Sequence, residues 1–226
     1  DLSTFPTHMH RRPRTQHTQF FLGDVKNMYT SLPHDKIIDA IDWVVELAAQ
    51  HIPNVHLGIN TVTNKSQTLS PRVGGKLKNT STQCWAHLTL PKIREILVWD
   101  LQHIYFTVGT VTLKQTMGIP MGSPCSPAMA VLLCMHAEHN FHATHGADYI
   151  SKHVQGHRYI DDVYATISDP NFDMQLLHSI YPKPMEIEEE EHANQARFLS
   201  SWVNLQPLTG HFDISFYHKN TARKAE

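Results

Sequence analysis

Between Arg158 and Ile167 the sequence is rich in β-branched and aromatic residues and is interrupted by Asp161-Asp162. Such residues favour strands, and aspartate tolerates the backbone of tight turns. The segment therefore predicts two strands with an acidic pair at the turn between them. Upstream, Phe20, Phe21, Leu22 and Val25 predict a short buried strand that ends near Asp24.

Helices are expected between these strands. Pro33 stands where proline is tolerated near a helix start. Ile37, Ile38, Ile41, Val44, Val45 and Ala48 follow on one apolar face. A second helix is expected from Pro91 to about His103, with Ile93, Ile96, Leu97 and Leu101 on one side. Tyr105 to Lys114 alternates around Gly109-Thr110 and predicts a hairpin. Gly118 to Pro127 is a Gly/Pro-rich loop, with Ser126 as N-cap and Pro127 as first residue of a buried helix over Met129 to Phe141.

Leu176, Leu177 and Ile180 suggest a further short helix, and 185–187, 198–205 and 212–217 are strand candidates. Residues 53–83 are polar, without periodicity, and read as a loop-rich insertion or a pair of weak strands. Residues 1–19 read as a polar arm with a basic cluster at Arg11, Arg12 and Arg14. The element order predicts an α+β fold: an antiparallel sheet packed on helices on one face.

With 226 residues and 41% hydrophobic composition the chain can bury a core. No apolar run is long enough for a membrane span, and no secretory signal opens the sequence. Cys84, Cys125 and Cys134 contain no CxxC pair, which argues against a disulfide framework and a cysteine zinc site. An intracellular location fits, and the sequons at Asn64 and Asn79 are then chance matches in a polar loop. The net charge of −2 is low for a nucleic-acid-binding protein, although charge distribution matters more than the sum. The chain begins at Asp1 without a methionine, as a piece of a longer protein would.

Three segments carry chemistry: Gly23-Asp24-Val25-Lys26-Asn27-Met28-Tyr29, Gly118-Ile119-Pro120-Met121-Gly122-Ser123-Pro124-Cys125-Ser126-Pro127, and Tyr159-Ile160-Asp161-Asp162. Singly, each has a plain structural reading: a surface or capping Asp, an irregular connector, a hairpin turn. Jointly they fit phosphoryl transfer. Magnesium binds through one or two carboxylates plus substrate phosphates, and two ions clamp the attacking and leaving oxygens of an in-line displacement. Carboxylates from adjacent strands must then converge, as Asp24 and Asp161 would, with Asp162 beside them. Without a cation they would repel each other.

The three segments resemble the A, B and C motifs of reverse transcriptases, and in detail those of the Penelope-like retroelement branch. The resemblance runs from Asp24-Val25-Lys26-Asn27-Met28-Tyr29-Thr30-Ser31-Leu32-Pro33 through Gln115-Thr116-Met117-Gly118-Ile119-Pro120-Met121-Gly122-Ser123-Pro124 to Arg158-Tyr159-Ile160-Asp161-Asp162. Arg197-Phe198-Leu199 and Phe216-Tyr217-His218-Lys219 resemble the closing segments. The resemblance implies a polymerase palm with partial fingers over residues 20–226. It implies that Asp24, Asp161 and Asp162 are the catalytic, metal-holding residues of an RNA-directed DNA polymerase. The cofactor would be two Mg²⁺ ions, with Mn²⁺ able to substitute.

Tyr29 then matches the steric gate that rejects a ribose 2′-OH. Val25, Met121, Gly122 and Gln115 are nucleotide-binding candidates, with Met121 where many reverse transcriptases have Gln. Tyr159, Ser123, Pro124 and Lys219 are candidate nucleic-acid contacts, as are Arg11 and Arg12 of the arm. The expected partners are an RNA template, a DNA primer and dNTPs. Ser200 after Phe198-Leu199 and His218 before Lys219 depart from the family pattern. The chain is expected to begin after the basic finger motifs and to end before a thumb, with no endonuclease domain visible. A eukaryotic retroelement would imply nuclear residence, for which the sequence carries no address.

Other features receive plain readings. His136, His139, His142 and His145 recur every third residue and drift around a helix, so a polar stripe outweighs a zinc or pH-sensitive contact. The acidic run Glu186, Glu188, Glu189, Glu190 and Glu191 reads as a solvated strand edge and turn. Two alternatives to the reverse transcriptase are an RNA-dependent RNA polymerase, which Tyr29 disfavours, and an inactive module that only binds nucleic acid.

Overall fold

A computed structural model describes residues 19–52, 56–60, 66–69, 85–190, 195–199, 201–206 and 212–216. The basic arm with Arg11, Arg12 and Arg14, the sequon asparagines Asn64 and Asn79, Ser200 and the segment carrying Lys219 lie outside the described residues. The chain forms two compact units, residues 28–137 and residues 1–27 with 138–226. Every strand pairing among the described residues is antiparallel, and the α+β expectation holds.

The discontinuous unit is built on a four-stranded sheet in the order β7-β8-β1-β9. Its strands are β1 (Gln19–Val25), β7 (Val154–Tyr159), β8 (Asp162–Ile167) and β9 (Ile187–Glu189). Strand β1 is the apolar run expected from Phe20 to Val25, and it is buried on both faces. Because side chains alternate, Phe21 and its cross-strand partner Ala165 share one face with Val163. A cavity of about 340 Å³ separates parts of that face from Phe141, Ile150, Leu177 and Tyr181, which come from helical segments and the chain just after them.

On the opposite face Phe20, Leu22 and Tyr164 pack against Phe198 and Val203. Those two belong to a three-stranded sheet of β10 (Gln195–Phe198), β11 (Ser201–Leu205) and β12 (Phe212–Phe216). Helices therefore cover one face as expected, and a second sheet covers the other. Each such fully buried apolar side chain contributes about 1.5–3 kcal/mol.

The second unit contains the helices Met28–Ser31, His34–His51 and Leu90–Gln102. The apolar stripe of the middle one buries Ile37, Ala40 and Ile41. Its Asp42 takes a forked ion pair from Arg94 of the third, with Nη2 to Oδ2 at 2.8 Å. Strands β2 (His56–Asn60), β3 (Ser66–Leu69) and β4 (Trp85–Thr89) form one small sheet, so weak strands do stand in the loop-rich insertion. The expected hairpin is β5 (Tyr105–Val108) with β6 (Val111–Lys114), turning at Gly109.

Several boundaries differ from expectation. The helix expected to be buried spans Ser126–Thr144 and buries one face only, covering Met129, Leu133, Cys134 and Phe141 and leaving Val131 and Met135 exposed, and Ser126 is its first residue rather than its cap. Cys125 stands in the cap position, its carbonyl accepting the first turn's bond from Met129 N–H at 3.0 Å. The 198–205 candidate is two strands, because Leu199 turns the chain with φ 56°. Strand β9 begins at Ile187, two residues later than expected, because Met185 N–H closes a turn onto Pro182 O at 3.0 Å. The acidic Glu188 and Glu189 are thus on an edge strand. The helix near Leu176 is a 3₁₀ segment, Met174–Ser179, and a further helix, Ala147–His153, had no signal.

Candidate active site

The three carboxylates of the first and third segments meet at one end of the four-stranded sheet. Asp24 and Asp162 are direct cross-strand partners between β1 and β8. Asp161 lies in the turn between β7 and β8, and its carbonyl accepts Val25 N–H at 3.0 Å. The backbone itself thus ties the turn to the end of β1. Ile160, one residue before Asp161, has φ 57°. A β-branched residue in this left-handed region is a genuine outlier, of the kind that surrounding structure must hold in place.

Strand β9 adds a carboxylate that sequence reading set aside. Glu188 is the cross-strand partner of Asp24 on its other side, so Asp162, Asp24 and Glu188 form one row across three strands. Close approach of β9 depends on Gly23, where a Cβ would meet Ile187 Cγ2 at 2.5 Å. The acidic run was visible in the sequence, but its pairing with β1 rests on a register that no local pattern encodes. Lys26 offsets part of the charge, with Nζ 3.8 Å from Glu188 Oε2.

The electrostatics follow from this crowding. Burial, then the charges of Asp161, Glu190 and Glu188, push the Asp24 carboxyl above its ordinary range. Burial, then Asp161, Asp24 and Glu190, do the same to Asp162, while the Arg197 charge pulls it down. Such a site favours a bound cation. Among the described residues no group of three His, Cys, Asp or Glu side chains is placed to hold a metal ion by itself. Magnesium does not need one, because it uses one or two carboxylates and completes its octahedron with water and phosphate oxygens. Carboxylate oxygens are the type of donor that Mg²⁺ takes.

In the other unit, the Gly-rich loop is stitched to the turn that carries Tyr29. Ile119 N–H donates to Tyr29 O at 2.7 Å, and Gly118 N–H to Leu32 O at 2.8 Å. His34 Nε2 lies 2.7 Å from Gly118 O. Gly118 has φ 72°, and a Cβ there would lie 2.7 Å from Tyr29 O, Thr30 O and Thr30 Cα. Tyr29 is half-buried.

Met121 is 76% exposed, and Gly122 has open space around its Cα, so this part of the loop presents a free surface. Gln115 is engaged locally, donating from Nε2 to Met117 O at 2.9 Å. Ser123 Oγ reaches Asp100 Oδ2 at 3.4 Å, a loop-to-helix contact without a sequence signal. Pro124 and Tyr159 are exposed, and Val25 is buried.

The histidine series does not converge. His136 stacks on Trp43 with ring centroids 5.2 Å apart, and His145 lies 4.6 Å from the Phe141 ring. No described helix is long and apolar enough to cross a membrane.

No protein-family model matches the sequence, and no curated protein matches it. Solved structures do match the fold. Telomerase from Candida albicans, in complex with a TWJ fragment of telomeric RNA, aligns over 95% of this chain with a TM-score of 0.60 at 14% identity. Telomerase from Candida tropicalis with the same kind of RNA fragment aligns over 94% at a TM-score of 0.58 and 12% identity. The apo Candida tropicalis enzyme gives 0.60 over 94% at 13% identity. The chain spans about a third of the length of these telomerases (33%, 32% and 35%). At such identities the likeness is one of fold: the chain shares the α+β fold of the matched third of these telomerase structures.

Proposed function

We propose that this chain is the palm-centred part of an RNA-directed DNA polymerase, of the Penelope-like retroelement type. It would add dNTPs to a primer 3′-OH on an RNA template. The observation that carries the reading is the junction of Asp24, Asp161 and Asp162 at one sheet end, with Asp24 facing Asp162 in register and Val25 N–H bonded to Asp161 O. The telomerase-like fold supports it, and two of those neighbours were solved with an RNA fragment.

Asp24 and Asp161 would hold the metal ions, with Asp162 beside them. Bound Mg²⁺, or Mn²⁺ in its place, supplies Lewis-acid stabilisation of the attacking and leaving oxygens. The chain's own contribution is positioning. The antiparallel ladder fixes the carboxylates before substrate arrives, which removes reorganisation from the reaction itself. Tyr29, half-buried, would exclude a ribose 2′-OH by bulk. The exposed Met121-Gly122 surface would take the base pair being formed, and Tyr159, Ser123 and Pro124 would touch nucleic acid. Nuclear residence would follow if the parent is a eukaryotic retroelement.

The test is primer extension on an RNA template with Mg²⁺, using dNTPs and separately NTPs, beside an Asp161→Asn variant. Extension with dNTPs alone, lost by about 10²-fold or more in the variant, is expected. Template binding without extension in either protein would replace the enzyme with an inactive nucleic-acid-binding module. Extension with NTPs instead would indicate an RNA-dependent RNA polymerase.

A further inference from the structure

Ile160 is exposed, β-branched and left-handed, and the two aspartates follow it directly in the chain. Something must hold it. Tyr159 and Asp162 pair at the end of the β7–β8 ladder, which fixes the two strand ends but leaves residues 160 and 161 as a two-residue turn. The described contact to the Ile160 carbonyl comes from Arg158, whose Nη1 donates to it at 3.2 Å.

Arg158 is itself clamped. Its Nε donates to Glu138 Oε1 at 2.5 Å, and the hydroxyl of the buried Tyr181 donates to the same oxygen at 2.9 Å. The Arg158 side chain is 11% exposed. It pairs across the ladder with Val163, so it lies on the helix-covered face, whereas Asp162 and Asp24 lie on the opposite one. Arg158 therefore reaches the turn from behind the carboxylates. The cavity of about 340 Å³ adjoins Arg158, Glu138 and Tyr181. Steric wedging is thus incomplete there, and hydrogen bonds must fix the guanidinium. A planar fork serves this purpose, because one nitrogen can hold Glu138 while another holds the turn.

We propose that Arg158, anchored by Glu138 and Tyr181, is a positioning residue that keeps Ile160 left-handed and so sets Asp161 beside Asp24. The proposal rests on the polymerase reading for its catalytic consequence, but its structural part does not.

Two readouts separate the two. The first is exchange of the Val25 amide, whose hydrogen bond to Asp161 O reports whether the turn is docked. The second is primer extension with Mg²⁺ titration, reading kcat, the Mg²⁺ half-saturation and KM for dNTP. The proteins are the wild-type chain, Arg158→Met, Arg158→Lys, and Arg158→Met combined with Ile160→Gly.

Losing a charged hydrogen bond is expected to speed Val25 exchange and to lower kcat, each on the order of ten-fold or more. The Mg²⁺ half-saturation is expected to rise, with KM for dNTP changing less. Arg158→Lys keeps the charge but lacks the fork, and is expected to resemble Arg158→Met. Glycine adopts positive φ without steric cost, so Ile160→Gly is expected to restore most of both losses.

Unchanged Val25 exchange in Arg158→Met overturns the proposal. So does faster exchange that spreads over all of β1 and is not recovered by Ile160→Gly, which would mean general destabilisation. If exchange behaves as expected but the wild-type chain extends no primer, the positioning role stands and the polymerase reading falls.

Discussion

Asp24 faces Asp162 directly across the β1–β8 ladder, and both carboxyls are pushed above their ordinary range. Like charges placed opposite one another destabilise a sheet. The fold tolerates this row, extended by Glu188, at the end of a strand whose other residues are almost all buried apolar groups. The site is therefore a local weakness offset by the core beside it.

A pH dependence follows. Unfolded, each carboxyl titrates near its ordinary value of 3.8, while in the fold both retain their protons to higher pH. The folded state then binds more protons than the unfolded one between those values, so stability falls as pH rises through that window. The penalty is absent below the unfolded pKa and complete above the folded one. The measurement must be a difference between two proteins, so that contributions common to both cancel. Without divalent cations, the Tm advantage of Asp24→Asn with Asp162→Asn over the wild-type chain is expected to grow as pH rises from about 4. A flat or shrinking difference in calorimetry would remove the repulsion argument.

Magnesium should reverse that penalty. At neutral pH, Mg²⁺ at ten times its Kd is expected to stabilise the wild-type chain by about 1.4 kcal/mol. Asp24→Asn should be more stable than wild type in EDTA, by up to about 1 kcal/mol, and should lose the response to Mg²⁺. Sodium chloride at matched ionic strength is the control, because general screening would act on both proteins. An equal response of both to Mg²⁺ would place the ion elsewhere.

Much of this arrangement is legible in the sequence because it is local. The apolar run at Phe20–Val25, the acidic turn at Asp161, the helix face of Ile37 and Ile41, and the hairpin at Gly109 each sit within one short window. What escaped is non-local. The Glu188 row depends on strand register, the second sheet behind Phe20 and Tyr164 on long-range packing, and the Arg158–Glu138–Tyr181 clamp on three separate elements. The Leu199 turn escaped because leucine rarely adopts positive φ, so the strands on either side read as one.

Tyr29 should set sugar selectivity if the polymerase reading holds. Its carbonyl is fixed by Ile119 N–H, so removing the ring need not move the backbone. Tyr29→Ala is expected to lower the preference for dNTP over NTP, in kcat/KM, by on the order of ten-fold or more. Tyr29→Phe keeps the bulk and should keep the preference. Loss of preference in Tyr29→Phe would assign the discrimination to the hydroxyl instead of the ring.

Gly118 is a position where any side chain would meet backbone. Its φ of 72° strains any side chain, and a Cβ would lie 2.7 Å from each of three backbone atoms of Tyr29 and Thr30. Backbone cannot swing aside as a side-chain tip would, so Gly118→Ala must break the Ile119–Tyr29 and Gly118–Leu32 hydrogen bonds or displace Thr30. The left-handed conformation costs roughly 1–2 kcal/mol, and overpacking adds about 1–3 kcal/mol. Denaturant unfolding is expected to show a loss of about 2–5 kcal/mol. Gly122→Ala, with open space around its Cα, should change stability by less than about 0.5 kcal/mol. The comparison separates the two glycines of the same loop: Gly118 is held by steric necessity, and a loss of extension in a stable Gly122→Ala protein would mark Gly122 as a surface for the incoming nucleotide.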